Sequence, residues 1–281
     1  MSYSSKISEL GITEVDAPEL GSHYHYAIIE QTLFEDLLIF IYQLPVVPQW
    51  CYLFKQTDYE ENASNGPILF EVETVEVMAL IAKRFEEGFS GAFISSVNAF
   101  DVLQPQLQRA LTIKKQSGNR ALSRFYDPRV LTGLLGSLSQ NEVVQYLGPL
   151  ASIQWYAYSH WLQFALSKSL EKPIEQVPIF MLSDEKIKRM DAIRLWEIKQ
   201  YLITRYASFV ESPNITALIF DDAENHGAQS ARELESYLRL RITINSLHSE
   251  PEWLTRIMQN NESPFLTRVN MAQDSAQQQD M

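Results

Sequence analysis

The period at which apolar residues recur switches back and forth as far as residue 165 and then settles, and that switch restricts the fold more than any single motif. His25-Tyr26-Ala27-Ile28-Ile29 reads as a strand, and Leu33, Leu37, Phe40, Ile41 and Leu44 then share one helical face up to Pro45. Residues 50–54 and 68–72 read as strands. Thr74 is placed to cap a helix with the apolar stripe Met78, Ile81, Ala82 and Phe85, Glu76 in its positive first turn and Gly88 just past its end. Residues 92–97 form another strand, and a short helix follows around Phe100, Leu103 and Leu107. Residues 111–113 pair with 122–126 across Ser117-Gly118-Asn119-Arg120. A helix carrying Leu131, Leu134, Leu135 and Leu138 leads to an aromatic stretch with Trp155, Tyr156, Tyr158 and Trp161.

Beyond Pro173 and Pro178 no strand period remains. Leu195, Ile198, Leu202, Tyr206 and Phe209 step by three or four residues from a cap at Ser183 towards Pro213, and a further helix spans residues 231–241. The predicted architecture is an α/β N-terminal lobe with a mixed sheet, followed by an all-helical C-terminal lobe. Its divisions are an N-terminal extension (1–20), the α/β lobe (21–165), a linker (166–182), the helical lobe (183–262) and a disordered, glutamine-rich tail (263–281).

Charge and composition exclude several functions. Ten glycines in 281 residues is about half the average usage of roughly 7%, and no G-x-G-x-x-G, P-loop or G-x-S-x-G pattern occurs. A net charge of −12 repels phosphate backbones and anionic lipid. Nucleic acid and membrane are therefore not expected partners. The single cysteine, Cys51, cannot form an internal disulfide, and the N-terminus lacks the apolar core of a signal peptide, so a cytoplasmic, non-secreted protein is expected. The charge is uneven: residues 1–108 carry only Lys6, Lys55, Lys83 and Arg84 as cations, whereas residues 109–129 set six cations against Asp127 alone. This basic hairpin is either a solvated edge or a docking patch.

The search for reactive groups favours structural roles. Ser169 and Lys172 fit S-x-x-K without the companion motifs, and Cys51 lies in an apolar strand. His23 and His25 share a strand face, but no third metal ligand follows at a recognisable spacing. Asp221, Asp222, Glu224 and His226 are the richest acidic cluster, spread around a helix that ends at His226-Gly227. No catalytic residues, cofactor or metal are expected.

One segment stands out: Arg124-Phe125-Tyr126-Asp127-Pro128-Arg129-Val130-Leu131. Asp127 suits a helix cap and Pro128 the first helical position. Strand alternation predicts Arg124 and Tyr126 on one face and Phe125 on the other, with Arg124 open to a carboxylate or to Asp127. Arg129 in the first turn opposes the helix dipole, and another contact should offset that cost. Arg124, Tyr126, Arg129, Trp155 and Tyr158 are the candidate partner-binding residues, and Phe125, Asp127 and Pro128 the structural ones.

This string, the leucine-rich helix after it and Leu147-Gly148-Pro149 resemble the signature of the bacterial type VI secretion effector adaptors, also called Tap or effector chaperones, a group first catalogued as a domain of unknown function. The resemblance covers roughly residues 24–150. More weakly, residues 223–227 resemble the Ala-x-x-x-Gly helix end of the family's helical lobe. The chain departs from the pattern at Gln145-Tyr146, where two aromatics are expected. The resemblance implies a non-catalytic adaptor whose two lobes grip a cognate toxic effector and assist its loading onto the VgrG spike. The competing readings are an enzyme or sensor that holds an anionic metabolite through Arg124, Arg129 and Lys115, and a nucleic-acid regulator.

Overall fold

The structure is a computed structural model that describes residues 3–34, 36–88, 91–148, 150–166 and 179–279. The chain divides into two compact units, Met1–Arg194 and Leu195–Met281. The division falls inside a long helix and not in the 166–182 stretch expected from the sequence. Most of that stretch, with Ser169, Lys172, Pro173 and Pro178, lies outside the described residues, as does Pro149.

The first unit begins with helix α1 (Tyr3–Glu9), strands β1 (Thr13–Val15) and β2 (Tyr24–Glu30), helix α2 (Leu37–Gln43) and strands β3 (Trp50–Tyr52) and β4 (Pro67–Glu71). Helix α3 (Val75–Glu87), strand β5 (Gly91–Ser96), helix α4 (Phe100–Ala110) and the hairpin β6 (Thr112–Lys115) and β7 (Arg120–Leu122) follow. It continues with helices α5 (Pro128–Ser137) and α6 (Gln140–Leu147) and strands β8 (Leu150–Ala157), β9 (His160–Ala165) and β10 (Met181–Leu182). Seven strands form one sheet in the order β1-β9-β8-β5-β2-β4-β3, every neighbour antiparallel. The N-terminal residues thus supply an edge strand of this sheet and are not an extension to it. The expected mixing of strand directions is confined to a separate small sheet, where β6 pairs antiparallel with β7 and parallel with β10. The helical period after residue 178 had given no sign of β10, because two residues are too few to show alternation.

One face of the large sheet carries Ala27, Ile29, Ile68, Phe70, Phe93 and Trp161, closed over by the α3 stripe Met78, Ile81, Ala82 and Phe85. The Thr74 hydroxyl accepts from the Val77 amide, so the cap and the stripe of this helix agree with the sequence reading. The other face holds Trp155, whose Nε1 donates to Thr132 of α5 at 3.2 Å, and Tyr26, packed against Phe100 of α4. At the centre, β5 crosses β2 so closely that a Cβ on Gly91 would lie 2.0 Å from the Ile28 carbonyl oxygen.

Helix α7 (Asp184–Arg205) contains the division between the units, and Ser183 caps it by accepting from the Lys186 amide. It stops before Tyr206, short of the predicted run, and leaves Phe209 exposed. Helices α8 (Pro213–Asn225), α9 (Ala231–Thr243), α10 (Glu252–Met258) and α11 (Phe265–Gln279) complete the second unit. The tail expected to be disordered forms α11 as far as Gln279, because Phe265, Val269 and Ala272 recur at helical spacing and are buried. Arg241, almost wholly buried, donates to Asp222 at 2.8 Å and to the Ser246 carbonyl at 2.7 Å. Burial pushes the Glu250 carboxyl up, but bonds from Tyr237 and His226 outweigh it and hold the group below its ordinary value. No described helix is long and apolar enough to cross a membrane.

Two outcomes test these features. Gly91→Ala is expected to cost more than about 3 kcal/mol in urea unfolding, whereas Gly88→Ala, with open space around it, should change stability by less than about 0.5 kcal/mol. Because the folded Glu250 value is depressed, its contribution is full above the ordinary carboxylate range and is lost as pH falls through the folded value. Glu250→Gln should therefore flatten the fall in melting temperature over that acidic interval relative to the unmodified chain.

Candidate functional site

The segment singled out in the sequence begins where the β6–β7 hairpin ends. The Ser123 amide donates to Leu111 and the Asp127 amide to Arg124, so residues 124–127 make a turn and not the expected strand extension. The alternation expected there is lost. Phe125 and Tyr126 both enter the core, 1% and 2% exposed, with their rings edge to face at 5.7 Å. Burial raises the Tyr126 phenol far above its ordinary value, so it remains neutral. Tyr126 therefore belongs with Phe125 as a packing residue and offers no surface to a partner.

Asp127 is the hub. Its Oδ1 accepts from the Arg129 amide at 3.0 Å, which caps α5, and Pro128 takes the first helical position, where no donor is needed. The same carboxylate receives a two-pronged grip from Arg129, Nε to Oδ1 at 2.8 Å and an Nη to Oδ2 at 2.7 Å. This fork holds the guanidinium above its ordinary value and offsets the unfavourable position of Arg129 at the positive end of the helix. Arg124 donates to Glu30 at 2.8 Å and lies 3.5 Å from Asp127. Two guanidiniums thus balance two nearly buried carboxylates. The Arg124 and Arg129 side chains nevertheless stay 42% and 40% exposed.

Glu30 is the member that the sequence reading missed. Its signal was a carboxylate ending the apolar strand His25–Ile29, where a half-buried charge needs a partner. Of the four aromatics in the stretch that forms β8 and β9, Trp155 is fully buried and Trp161 nearly so, its Nε1 donating to Glu86 at 2.8 Å. Tyr156 is half-buried against Trp161. Tyr158 occupies the two-residue turn between β8 and β9 with φ of 51°, followed by Ser159 at 73°, a pair of left-handed residues of the kind such a hairpin demands. A tyrosine there carries strain on the order of 1–2 kcal/mol. Tyr158 is half-buried in this turn, so Arg124, Arg129 and Tyr158 are the half-exposed members of the candidate set.

Lys115 does not join them. Arg124 leaves the hairpin beside Leu111, and four residues of extended chain, roughly 13 Å, separate that end from Lys115. The hairpin's Lys114, Lys115 and Arg120 are solvent-exposed, and β10 covers the outer edge of β6. At the departure from the family pattern, Tyr146 is buried against Phe125 and Phe180 and donates to the Ala110 carbonyl at 3.0 Å. Gln145 faces outward into a cleft of about 420 Å³ with Gln106, Arg109 and Phe180 on its walls.

The remaining reactive groups have structural partners. Burial pushes the Cys51 thiol up to about 12, so no thiolate is available near neutral pH. His25 has both ring nitrogens engaged, by the Gly21 amide and by Ser95. Asp222 pairs with Arg241, Glu224 with Lys199 and His226 with Glu250, three separate partners, and α8 ends at His226 with Gly227 left-handed, as its sequence predicts.

Residues 25–145 match the family model of a domain of unknown function (DUF4123). No curated protein and no solved structure matches the chain.

The network predicts a specific order of damage. Asp127→Ala removes the cap and strands two guanidiniums, and should cost about 3 kcal/mol in chemical denaturation. Arg124→Ala leaves only Glu30 short of its partner and should cost about 1–2 kcal/mol. A reversed order would mean that Asp127 is not the hub.

Proposed function

We propose that this chain is a cytoplasmic, non-catalytic adaptor that binds a cognate secreted effector and assists its loading onto the VgrG spike of a type VI secretion system. The reading rests on the resemblance of residues 124–131 and their surroundings to that adaptor group, and on the match of residues 25–145 to a domain of unknown function. The observation that carries it further is the pair of half-exposed guanidiniums, Arg124 and Arg129, fixed by carboxylates beneath them. Arginine and tyrosine are enriched at interface hot spots, and a guanidinium already held in place gives up little side-chain entropy when a partner arrives. The second unit would then contribute stability or a further contact of its own.

The metabolite reading needs three converging cations, and Lys115 stands apart from the other two, so the protein-partner reading is preferred. Its direct test is affinity purification from the native bacterium followed by mass spectrometry. A toxin-like protein and a spike component are expected among the captured proteins, and recovery of neither would overturn the adaptor assignment. Neighbouring reading frames should encode a spike protein on one side and an effector with its immunity protein on the other.

Two variants separate interface from scaffold. Arg124→Lys with Arg129→Lys preserves both charges but loses the planar fork, and should weaken effector capture about tenfold while costing less than about 2 kcal/mol of stability. Tyr158→Gly relieves the left-handed strain and should melt higher than the unmodified chain, yet retain less effector. A variant that melts higher and binds equally well would remove Tyr158 from the interface.

A further inference from the structure

The face of the sheet that α3 covers changes from apolar to polar along four neighbouring strands, one inward residue earlier on β8 and β9 than on β2 and β5. Along β2 the sequence of inward residues runs from Ile29 and Ala27 to His25; along β5 it runs from Phe93 to Ser95. On β8 Tyr156 gives way to Gln154 and Ser152, and on β9 Trp161 gives way to Gln163. The register sets these polar residues side by side: His25 opposite Ser95, Ser95 opposite Ser152, and Gln154 opposite Gln163. They form the floor of a pocket of about 590 Å³.

Such a floor keeps its hydrogen-bonding capacity for an occupant, because amides and hydroxyls that open into a pocket can exchange water for a ligand with matching groups. Gln154 is only 6% exposed and Ser152 9%, yet neither side chain has a hydrogen-bond partner among the described residues; nor has that of Gln163. Both residues line the pocket, so their free polar groups open into it. The His25–Ser95 pair reinforces this polarity without being a nucleophilic dyad. The Gly21 amide donates to His25 Nε2 at 2.9 Å, which places the ring proton on Nδ1, and that proton faces the Ser95 oxygen at 3.0 Å. Ser95 thus accepts from the histidine and keeps its own proton for a further acceptor. Burial holds the His25 ring below its ordinary value, so it stays neutral.

The rim decides the charge of the occupant. Glu14, Asp16 and Glu19 line the pocket, and no lysine or arginine does. Glu14 is engaged by Ser4 and His160, which leaves Asp16 and Glu19 as the carboxylates over the opening. An anion is repelled there, whereas a planar cation with several N–H donors finds two neighbouring amide oxygens, a hydroxyl and two carboxylates. The geometry points to a binding site for a guanidinium group, on the floor of Ser152, Gln154 and Gln163 and under the rim of Asp16 and Glu19. The group arrives either as a small free guanidinium compound or as the arginine side chain of a peptide. This site shares no residue with Arg124, Arg129 or Tyr158, and it stands or falls independently of the adaptor assignment.

The test uses the full chain in thermal melting and calorimetry with three probes: arginine amide, its neutral isostere citrulline amide, and a short blocked peptide with one arginine. At least one arginine probe should raise the melting temperature with increasing concentration, and citrulline amide should not. Gln154→Leu should weaken the response about tenfold without lowering the melting temperature of the unliganded protein, since no side-chain hydrogen bond within the described residues is lost with the amide. Asp16→Asn with Glu19→Gln, at exposed positions, should also weaken it and keeps the test valid if the leucine disturbs the sheet. A response to free arginine amide identifies a small-molecule site, and a response to the peptide alone identifies a side chain of a partner. No response to either arginine probe, an equal response to citrulline amide, or binding undiminished in both variants overturns the assignment.

Discussion

The carboxylate of Asp127 meets three demands that a chain passing from hairpin to helix must satisfy at one point. It caps the first turn of α5, anchors the Arg129 fork and shares Arg124 with Glu30 of β2. Through Arg124 and Glu30 the helix start is tied to a central strand of the large sheet, and through Phe125 and Tyr126 the same turn packs into the core. Each contact constrains the others. The cap fixes the backbone that aims Arg129, and the buried rings fix the turn that aims Arg124. The two half-exposed guanidiniums are therefore each held in one orientation by a carboxylate beneath them.

The large sheet has its own division of labour. Its apolar end is a conventional core beneath α3, where Phe85, Phe93 and Trp161 pack ring against ring. Its polar end is roofed by residues of the N-terminal segment, which β1 holds in place by pairing with β9. A strand added at the edge thus does more than extend the sheet: it fixes the segment that carries Asp16 and Glu19. The antiparallel register brings polar residues that are far apart in sequence into two adjacent rows of one face, His25, Ser95 and Ser152 in one and Gln154 and Gln163 in the next.

The legibility of the sequence varied with the range of the interactions. Thr74 with its stripe, Asp127-Pro128, Ser183, and His226-Gly227 were all correctly read, because a cap and its helix lie within four residues. Failures came where distant contacts prevailed. The local alternation of Arg124, Phe125 and Tyr126 suggested a strand, but burial of both rings against other elements favoured a turn. Glutamine-rich composition suggested a disordered tail, but three apolar residues at helical spacing suffice when α9 and α10 are there to receive them. Trp155 had the composition of an interface anchor, yet it sits in the middle of a strand facing α5.

By itself, then, the sequence determined the order of strand-like and helix-like segments, the helix starts, the strongly uneven charge and the presence of one unusual hairpin-to-helix segment. These follow from period, propensity and capping, which act over a few residues. Only the tertiary structure decided that Arg124 meets Glu30, that Lys115 stands apart from both arginines, and that Ser95, Ser152, Gln154 and Gln163 converge on one floor. Those outcomes depend on strand register and on the order β1-β9-β8-β5-β2-β4-β3, and a chain of alternating periods is compatible with many such orders.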